Sequence, residues 1–210
     1  MTRILIADDH AVVRQGLIEI LTHALKDVVC SEAADAQEAF SQVQRHDWHL
    51  IILDISLPGR SGIDLLPDLK RVRSKTPVLI LSAHPEAMYG KRVLQANASG
   101  YLNKTCACEE LIQAVRKVIA GGRYISEALA EKLALDSLEE QDKPLHENLS
   151  HRELEVLCMI ASGKTLSQIA AVLHVALTTV SSYRARILEK MKMTSTAELM
   201  HYALWNELVQ

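Results

Sequence analysis

Leu50-Ile51-Ile52-Leu53-Asp54-Ile55-Ser56-Leu57-Pro58-Gly59 is the stretch whose reading decides the fold. Its first four residues are apolar, end at a carboxylate and run into a Pro-Gly turn signal, the pattern of a strand buried on both faces of a parallel sheet. Asp54 then falls at the strand's carboxyl end, where open α/β sheets place their chemistry. An aspartate opening a turn before Pro58 also has a purely local use, because its side chain hydrogen-bonds the turn backbone. Asp54 alone does not decide between the two.

Working outward, similar short apolar runs occur at Arg3 to Ala7, Val28 to Ala33, Val78 to Ser82 and Gly100 to Asn103, each followed by apolar residues at helical spacing. Strands alternating with helices imply a parallel sheet covered on both faces. Five such units predict a flavodoxin-like doubly wound (βα)5 domain, so the chain is expected to be α/β followed by an all-α part. A helix from Leu111 to Ala120 should end at Gly121-Gly122, and another is expected over Ser126 to Leu138 with Ser126 as its N-cap. Glu139-Glu140-Gln141-Asp142-Lys143-Pro144 is charged, carries a proline and lacks periodicity, so it reads as a flexible linker.

After the linker only helix signals remain. Ser150-His151-Arg152-Glu153 is a capping box and Gly163 closes the helix it opens. Further helices are expected at Leu166 to Leu173, Thr178 to Met191 and Thr194 to Leu208. The resulting division is residues 1–122, a helical then flexible acidic connector at 123–148, and a four-helix domain at 149–210.

Charge follows this division. Residues 1–125 hold 15 Lys+Arg against 14 Asp+Glu, residues 126–148 hold 2 against 7, and residues 149–210 hold 6 against 5, within a total of -3. Nucleic-acid binding must therefore come from local clustering of basic side chains. No uninterrupted apolar run has the length of a membrane span or secretory core, so a cytoplasmic protein without membrane contact is expected. The four cysteines, at positions 30, 106, 108 and 158, make no CxxC pair and read as reduced structural thiols, with Cys106-Ala-Cys108 as the metal or redox candidate.

The predicted strand ends carry a constellation. Asp8-Asp9-His10 follows the first strand, Asp54 the third, Ser82-Ala83 the fourth and Lys104 the fifth. Paired carboxylates suit Mg²⁺, which takes hard oxygen ligands and keeps several waters. A metal and an ammonium would neutralise phosphoryl oxygens during in-line transfer to Asp54, and the Ser82 hydroxyl could bond one of them. Each residue has a bland alternative as a loop cap, a surface lysine or a turn serine. All of them falling on one side of one sheet favours the joint reading.

Residues 1 to about 122 resemble the receiver domain of two-component response regulators, through Asp8-Asp9-His10, Arg14, Gly16-Leu17, Asp54 to Gly59, Gly62, Ser82-Ala83 and Gly100-Tyr101-Leu102-Asn103-Lys104. The resemblance implies that Asp54 accepts phosphate from a sensor histidine kinase. It further implies that Asp9 and Asp54 with the Ser56 carbonyl bind Mg²⁺, Asp8 acting mainly through metal-bound water, and that Ser82 and Tyr101 form a switch pair. Many receivers have proline in a cis peptide after the lysine. Here Thr105 follows Lys104, and a cis bond before a non-proline residue costs about 2.5–4 kcal/mol.

The expected helices at Leu166 to Leu173 and Thr178 to Met191, joined by a short turn, have the proportions of a helix-turn-helix. Ile169, Ala170, Leu173, Val180, Ile187 and Leu188 should fill its core, leaving Ser181, Ser182, Arg184, Ala185 and Arg186 for phosphate and base-edge contacts. Residues 149–205 resemble the LuxR-type helix-turn-helix of the NarL/FixJ group, through Leu149-Ser150, Arg152-Glu153, Glu155-Val156-Leu157, Gly163-Lys164, Ile169-Ala170, Thr179-Val180 and Ile187-Leu188 with Lys190-Met191. The resemblance implies a double-stranded DNA operator, with Lys164, Thr178, Thr179 and Lys190 added to the candidate contacts, and a homodimer when phosphorylated. Two positions depart from it: the usual lysine after Thr179-Val180 is Ser181, and the usual histidine two residues on is Tyr183. Leu199, Tyr202, Ala203 and Leu208 form a stripe on the last helix that suits either a dimer contact or plain core.

The sequence thus predicts a phosphorylation-switched DNA-binding regulator. A helical module docking on a protein is the alternative, favoured by the weak positive charge and by Ser181. A phosphohydrolase fits poorly, because Ser56 stands where such enzymes usually have a second carboxylate, so only slow self-dephosphorylation is expected.

Overall fold

A computed structural model of the chain describes residues 1–138 and 144–209. Residues 139–143, where the flexible linker is expected, lie outside the described residues. The chain divides into two compact units, Met1–Glu139 and Glu140–Gln210.

The first unit holds β1 (Thr2–Ala7), α1 (Ala11–Ala24), β2 (Val28–Ala33), α2 (Ala36–Arg45), β3 (Leu50–Leu53), α3 (Gly62–Val72), β4 (Val78–Ser82), α4 (Glu86–Gln95), β5 (Gly100–Asn103), α5 (Cys108–Ile119) and α6 (Glu127–Leu138). The strands form one parallel sheet in the order β2-β1-β3-β4-β5. That is the flavodoxin-like order expected from the sequence, with its reversal between β1 and β3. Every residue of β3 and β4 is buried, as continuous apolar runs between two helical layers should be. The β2 edge strand, which carries Ser31 and Glu32, is only partly covered. Ile4, Ile6, Leu50, Ile52, Leu79 and Leu102 pack with Leu17 and Leu21 of α1 and with Val115 and Val118 of α5 in one core.

The connector expected from residue 123 onward begins inside this first unit. Tyr124 makes a parallel bridge to Gly100 at the free edge of β5, and Leu129 of α6 is buried against Gly90 of α4. Tertiary contact, not local signal, sets this, and a charge count cannot register it.

The second unit opens with a 3₁₀ turn (Leu145–Asn148), followed by α7 (His151–Ala161), α8 (Leu166–Val172), α9 (Leu177–Met191) and α10 (Thr196–Trp205). Ser150 and Glu153 form the predicted capping box on α7. A second one, Thr165 with Gln168, starts α8. The chain turns by 112° between α8 and α9, within the range of a helix-turn-helix. Among the described residues no single helix is long and apolar enough to cross a membrane.

Two glycines test the packing in opposite directions. A Cβ on Gly62 would meet the Asp54 carbonyl oxygen at 2.0 Å, whereas a Cβ on Gly16, inside α1, meets nothing within 4 Å. Gly62→Ala should lower the unfolding free energy of the first unit by about 1–3 kcal/mol or more. Gly16→Ala should raise it by about 0.5–1 kcal/mol, since alanine lowers the entropy of the unfolded chain. Urea unfolding of both variants checks the pair, and equal effects would refute it.

Candidate functional site

Backbone pairing between strands fixes the crevice. The Asp8 N–H donates to the Ala33 carbonyl at 3.1 Å, the Asp54 N–H to the Ala7 carbonyl at 2.8 Å, and the Lys104 N–H to the Ser82 carbonyl at 2.7 Å. These bonds bring the carboxyl ends of β1, β3 and β5 together. The Lys104 ammonium then reaches both buried carboxylates, 2.6 Å from Asp8 Oδ2 and 2.9 Å from Asp54 Oδ2. His10 caps the rim: its N–H donates to Asp8 Oδ1 at 2.9 Å and its Nδ1 lies 2.6 Å from Asp9 Oδ1. Arg14, quoted above for its place in the motif, donates to the Asp8 carbonyl and pairs with Glu32. The Lys104–Thr105 peptide is trans.

Charge in the crevice is unbalanced. Burial pushes the Asp54 carboxyl above its ordinary value, Lys104 offsets this only in part, and Asp8 adds to it. For Lys104, burial pulls downward but the Asp54 and Asp8 carboxylates outweigh it and hold the ammonium above the usual lysine range. Buried oxygens of native proteins nearly always have a partner. Asp54 Oδ1 is buried without a hydrogen-bond partner, and the His10 ring is what faces Asp9 Oδ1. Asp8, Asp9, His10 and Asp54 form the one His/Cys/Asp/Glu grouping among the described residues close enough to hold a metal ion. Hard carboxylate oxygens are the donor set that Mg²⁺ takes, so the residues fit that ion.

The cysteines stand apart from this grouping. All four are free thiols. Burial pushes the Cys106 thiol up, and Glu110 and Cys108 push it further, which opposes thiolate chemistry at the Cys106-Ala-Cys108 candidate.

Beside the crevice, Ser82 is fully buried and its Oγ accepts from the His84 N–H at 3.1 Å. Tyr101 is turned inward, with its Oη donating to the His84 carbonyl at 2.6 Å; burial pushes its phenol up, while Ser82 hydrogen-bonds the same hydroxyl. Asn103 Nδ2 donates to that carbonyl too, and the His84 ring stands 3.2 Å from the Ser56 hydroxyl. His84 thus joins Ser82 and Tyr101 to the residue two beyond Asp54. Sequence reading missed it because it works mainly through backbone atoms, which leave no residue-type signal.

In the second unit, Ile169, Val180 and Ile187 are fully buried, with Ala170 and Leu173 nearly so and Leu188 half-covered. Thr178, Ser182, Arg184, Ala185 and Arg186 are exposed on α9, with Thr179 and Ser181 half-covered, and Lys164 is exposed before α8. Thr178, Thr179, Ser182, Tyr183 and Arg186 line one shallow concavity. Tyr183 was noted in the sequence only as a departure, yet it helps build that surface. Lys190 is exposed near the end of α9, and its ammonium lies 2.6 Å from Glu153 Oε2, which also accepts from the Ser150 N–H. The carboxylate it meets is buried and gains a cation from the contact. Leu199 and Ala203 of α10 and Leu208 just beyond it are core, and Leu204 and Trp205 are the large apolar residues that α10 exposes.

This geometry is matched by known proteins. Residues 4–116 match the response regulator receiver domain, and residues 147–203 match the luxR family of bacterial regulatory proteins. The chain is 32% identical to the response regulator UvrY of Escherichia coli K12, over 97% of this chain and 94% of that one. It is 35% identical to the oxygen regulatory protein NreC of Staphylococcus carnosus, over 99% of both. RcsB of Salmonella enterica serovar Typhimurium, solved on a promoter with a phosphomimetic, superposes with a TM-score of 0.59 at 25% identity, over 96% of this chain and 97% of that one. The protein belongs to the response regulators of two-component signalling. Within that family it is of the NarL/FixJ type, a transcription regulator in which a receiver is followed by a LuxR-type DNA-binding domain.

The Glu153–Lys190 pair makes a measurable contribution. Burial pushes the Glu153 carboxyl up, but hydrogen bonds from Lys190 and Ser150 outweigh it and hold it below the ordinary 4.5. Lys190→Ala leaves a buried acceptor short of a donor, so it should destabilise the second unit by about 1–3 kcal/mol at pH 7. Because the folded pKa is depressed, this stabilisation is present above 4.5 and is lost as pH falls through the folded value. Thermal midpoints of wild type and Lys190→Ala should therefore converge in acid, and a gap independent of pH would refute the assignment.

Proposed function

We propose that Asp54 receives the phosphoryl group of a sensor histidine kinase and that the modified receiver controls operator binding by the second unit. The observation that carries this is the Asp8–Lys104–Asp54 bridge beside an unpartnered Asp54 Oδ1. That oxygen attacks phosphorus, the P–N bond breaks, and the electron pair leaves with the kinase imidazole. Lys104 holds a phosphoryl oxygen with its ammonium, and Ser82 donates its hydroxyl to another. Asp9, Asp54 and the Ser56 carbonyl would hold Mg²⁺, with Asp8 acting through water. Mg²⁺ when bound supplies positive charge that screens the phosphoryl oxygens. Self-dephosphorylation is slow, since Ser56 rather than a second carboxylate stands two residues beyond Asp54.

On the DNA side, Lys164, Arg184 and Arg186 supply phosphate contacts, and Thr178, Thr179, Ser181, Ser182 and Ala185 face the groove. Exposed Leu204 and Trp205 give α10 an apolar surface for a second copy, consistent with the dimers in which RcsB binds DNA. The protein acts in the cytoplasm, where operator and kinase domain meet it.

Operator selected from a random DNA pool should bind wild type more tightly after treatment with a small-molecule phosphodonor and Mg²⁺. Asp54→Ala should show one affinity throughout, and identical, donor-independent affinities for both proteins would overturn the switch. Ser181→Lys should tighten binding and steepen the slope of log affinity against log salt by about 0.9, the effect of one added phosphate contact on duplex DNA. An unchanged slope would place position 181 away from the phosphates.

A further inference from the structure

The stretch between α5 and the second unit is fastened to the face of the receiver that carries the switch pair. After Gly121 the chain runs back along β5: the Tyr124 N–H donates to the Ser99 carbonyl at 2.9 Å, and the Tyr101 N–H donates to the Tyr124 carbonyl at 3.2 Å. Gly100 permits this approach, because a Cβ there would meet the Tyr124 oxygen at 2.4 Å. Ser126 then caps α6, its Oγ accepting from the Leu129 N–H at 3.1 Å. The same hydroxyl donates to Glu86, the first residue of α4. Leu129 is buried, and it lies so close to α4 that a Cβ on Gly90 would meet its Cδ2 at 2.6 Å.

The other end of this contact is the switch. Glu86 stands two residues beyond His84, whose carbonyl is held by Tyr101 Oη and whose N–H is held by Ser82 Oγ. The path from the buried hydroxyl of Ser82 to the cap of α6 is therefore the backbone of residues 82–86 and one side-chain pair. Leu129 is the buried anchor of α6 among its described side chains.

We propose that α6 is a strap that docks on α4 only while Tyr101 is turned inward, with Glu86 and Ser126 as the positioning residues that couple the two. The inward phenol fixes the His84 carbonyl, which fixes the turn into α4 and so presents the Glu86 carboxylate to Ser126. With the phenol outward, that turn loses a bond and the α6 cap loses its anchor. Phosphorylation of Asp54 draws Ser82 toward the phosphoryl group, favours the inward phenol behind it and tightens the strap. A ligand shifts a conformational equilibrium only through contacts that differ between its states. Here those contacts are the bonds of Tyr101 and Ser126. The phosphate-driven part rests on the function proposed above; the link between Tyr101 and α6 does not.

Hydrogen–deuterium exchange of the full chain tests both parts. Without phosphodonor, Tyr101→Phe should speed exchange of the α6 amides by about threefold to tenfold, the effect of one lost neutral hydrogen bond. Ser126→Ala should do the same, Leu129→Ala marks the undocked limit, and the β1 and β3 amides should stay at wild-type rates in every variant. With acetyl phosphate and Mg²⁺, wild-type α6 should exchange more slowly, intact mass confirming one added phosphoryl group. Wild-type exchange of α6 in Tyr101→Phe would overturn the coupling whatever Asp54 does. Unchanged or faster α6 exchange in protein shown to be phosphorylated would overturn the tightening alone. An absence of added mass would count against the phosphoacceptor reading, and the Tyr101 arm would still decide the strap.

Discussion

One ammonium holds the business end of the receiver together. Lys104, delivered by β5, lies within 3 Å of carboxylates delivered by β1 and β3. Without it, Asp8 and Asp54 would be like charges buried side by side, and each would need a proton or a cation to stay. With it, three strands have a reason to end in register and the crevice is held open at a defined width. The lysine neutralises only part of the charge, since Asp9 stands beside them and one oxygen of Asp54 lacks a partner. That residual imbalance gives the crevice the hard oxygen donors that a divalent cation takes.

Most of the fold was legible because its elements are locally consistent. Leu50–Leu53 and Val78–Ser82 are continuous apolar runs, and no helix of this length would bury such runs on every side. The second unit announced its first helix through a capping box written in Ser150 and Glu153, and the structure forms that box. Its neighbour at Thr165 and Gln168 carries the same chemistry and could have been read in the same way. Asp8, Asp54 and Lys104 were legible together, because strand ends of a parallel sheet converge by topology.

What stayed hidden depends on contacts between residues far apart in the chain. His84 ties Ser82 to Tyr101 through its carbonyl and N–H, and any residue other than proline has both. The docking of α6 rests on Gly90 making room for Leu129 and on a hydroxyl meeting Glu86, pairings separated by about forty positions. Lys190 followed the same rule. A lysine near the end of a recognition helix suggests a phosphate contact, but Glu153, 37 residues earlier, is buried and captures it. A buried carboxylate that would otherwise lack a cation outweighs an exposed contact.

The two departures on α9 sharpen the same lesson about where energy resides. A lysine at position 181 would act as a point charge on a phosphate; serine removes that charge and leaves a short hydroxyl. Tyr183 replaces an imidazole with a larger ring, and it lines the concavity with Thr178, Thr179, Ser182 and Arg186. The balance thereby moves from long-range attraction toward short-range fit. A domain with nearly equal numbers of acidic and basic residues has little non-specific hold on DNA to begin with. On such a domain, affinity for an operator would rest on short-range fit at α9, and joining two copies would raise it without any new contact.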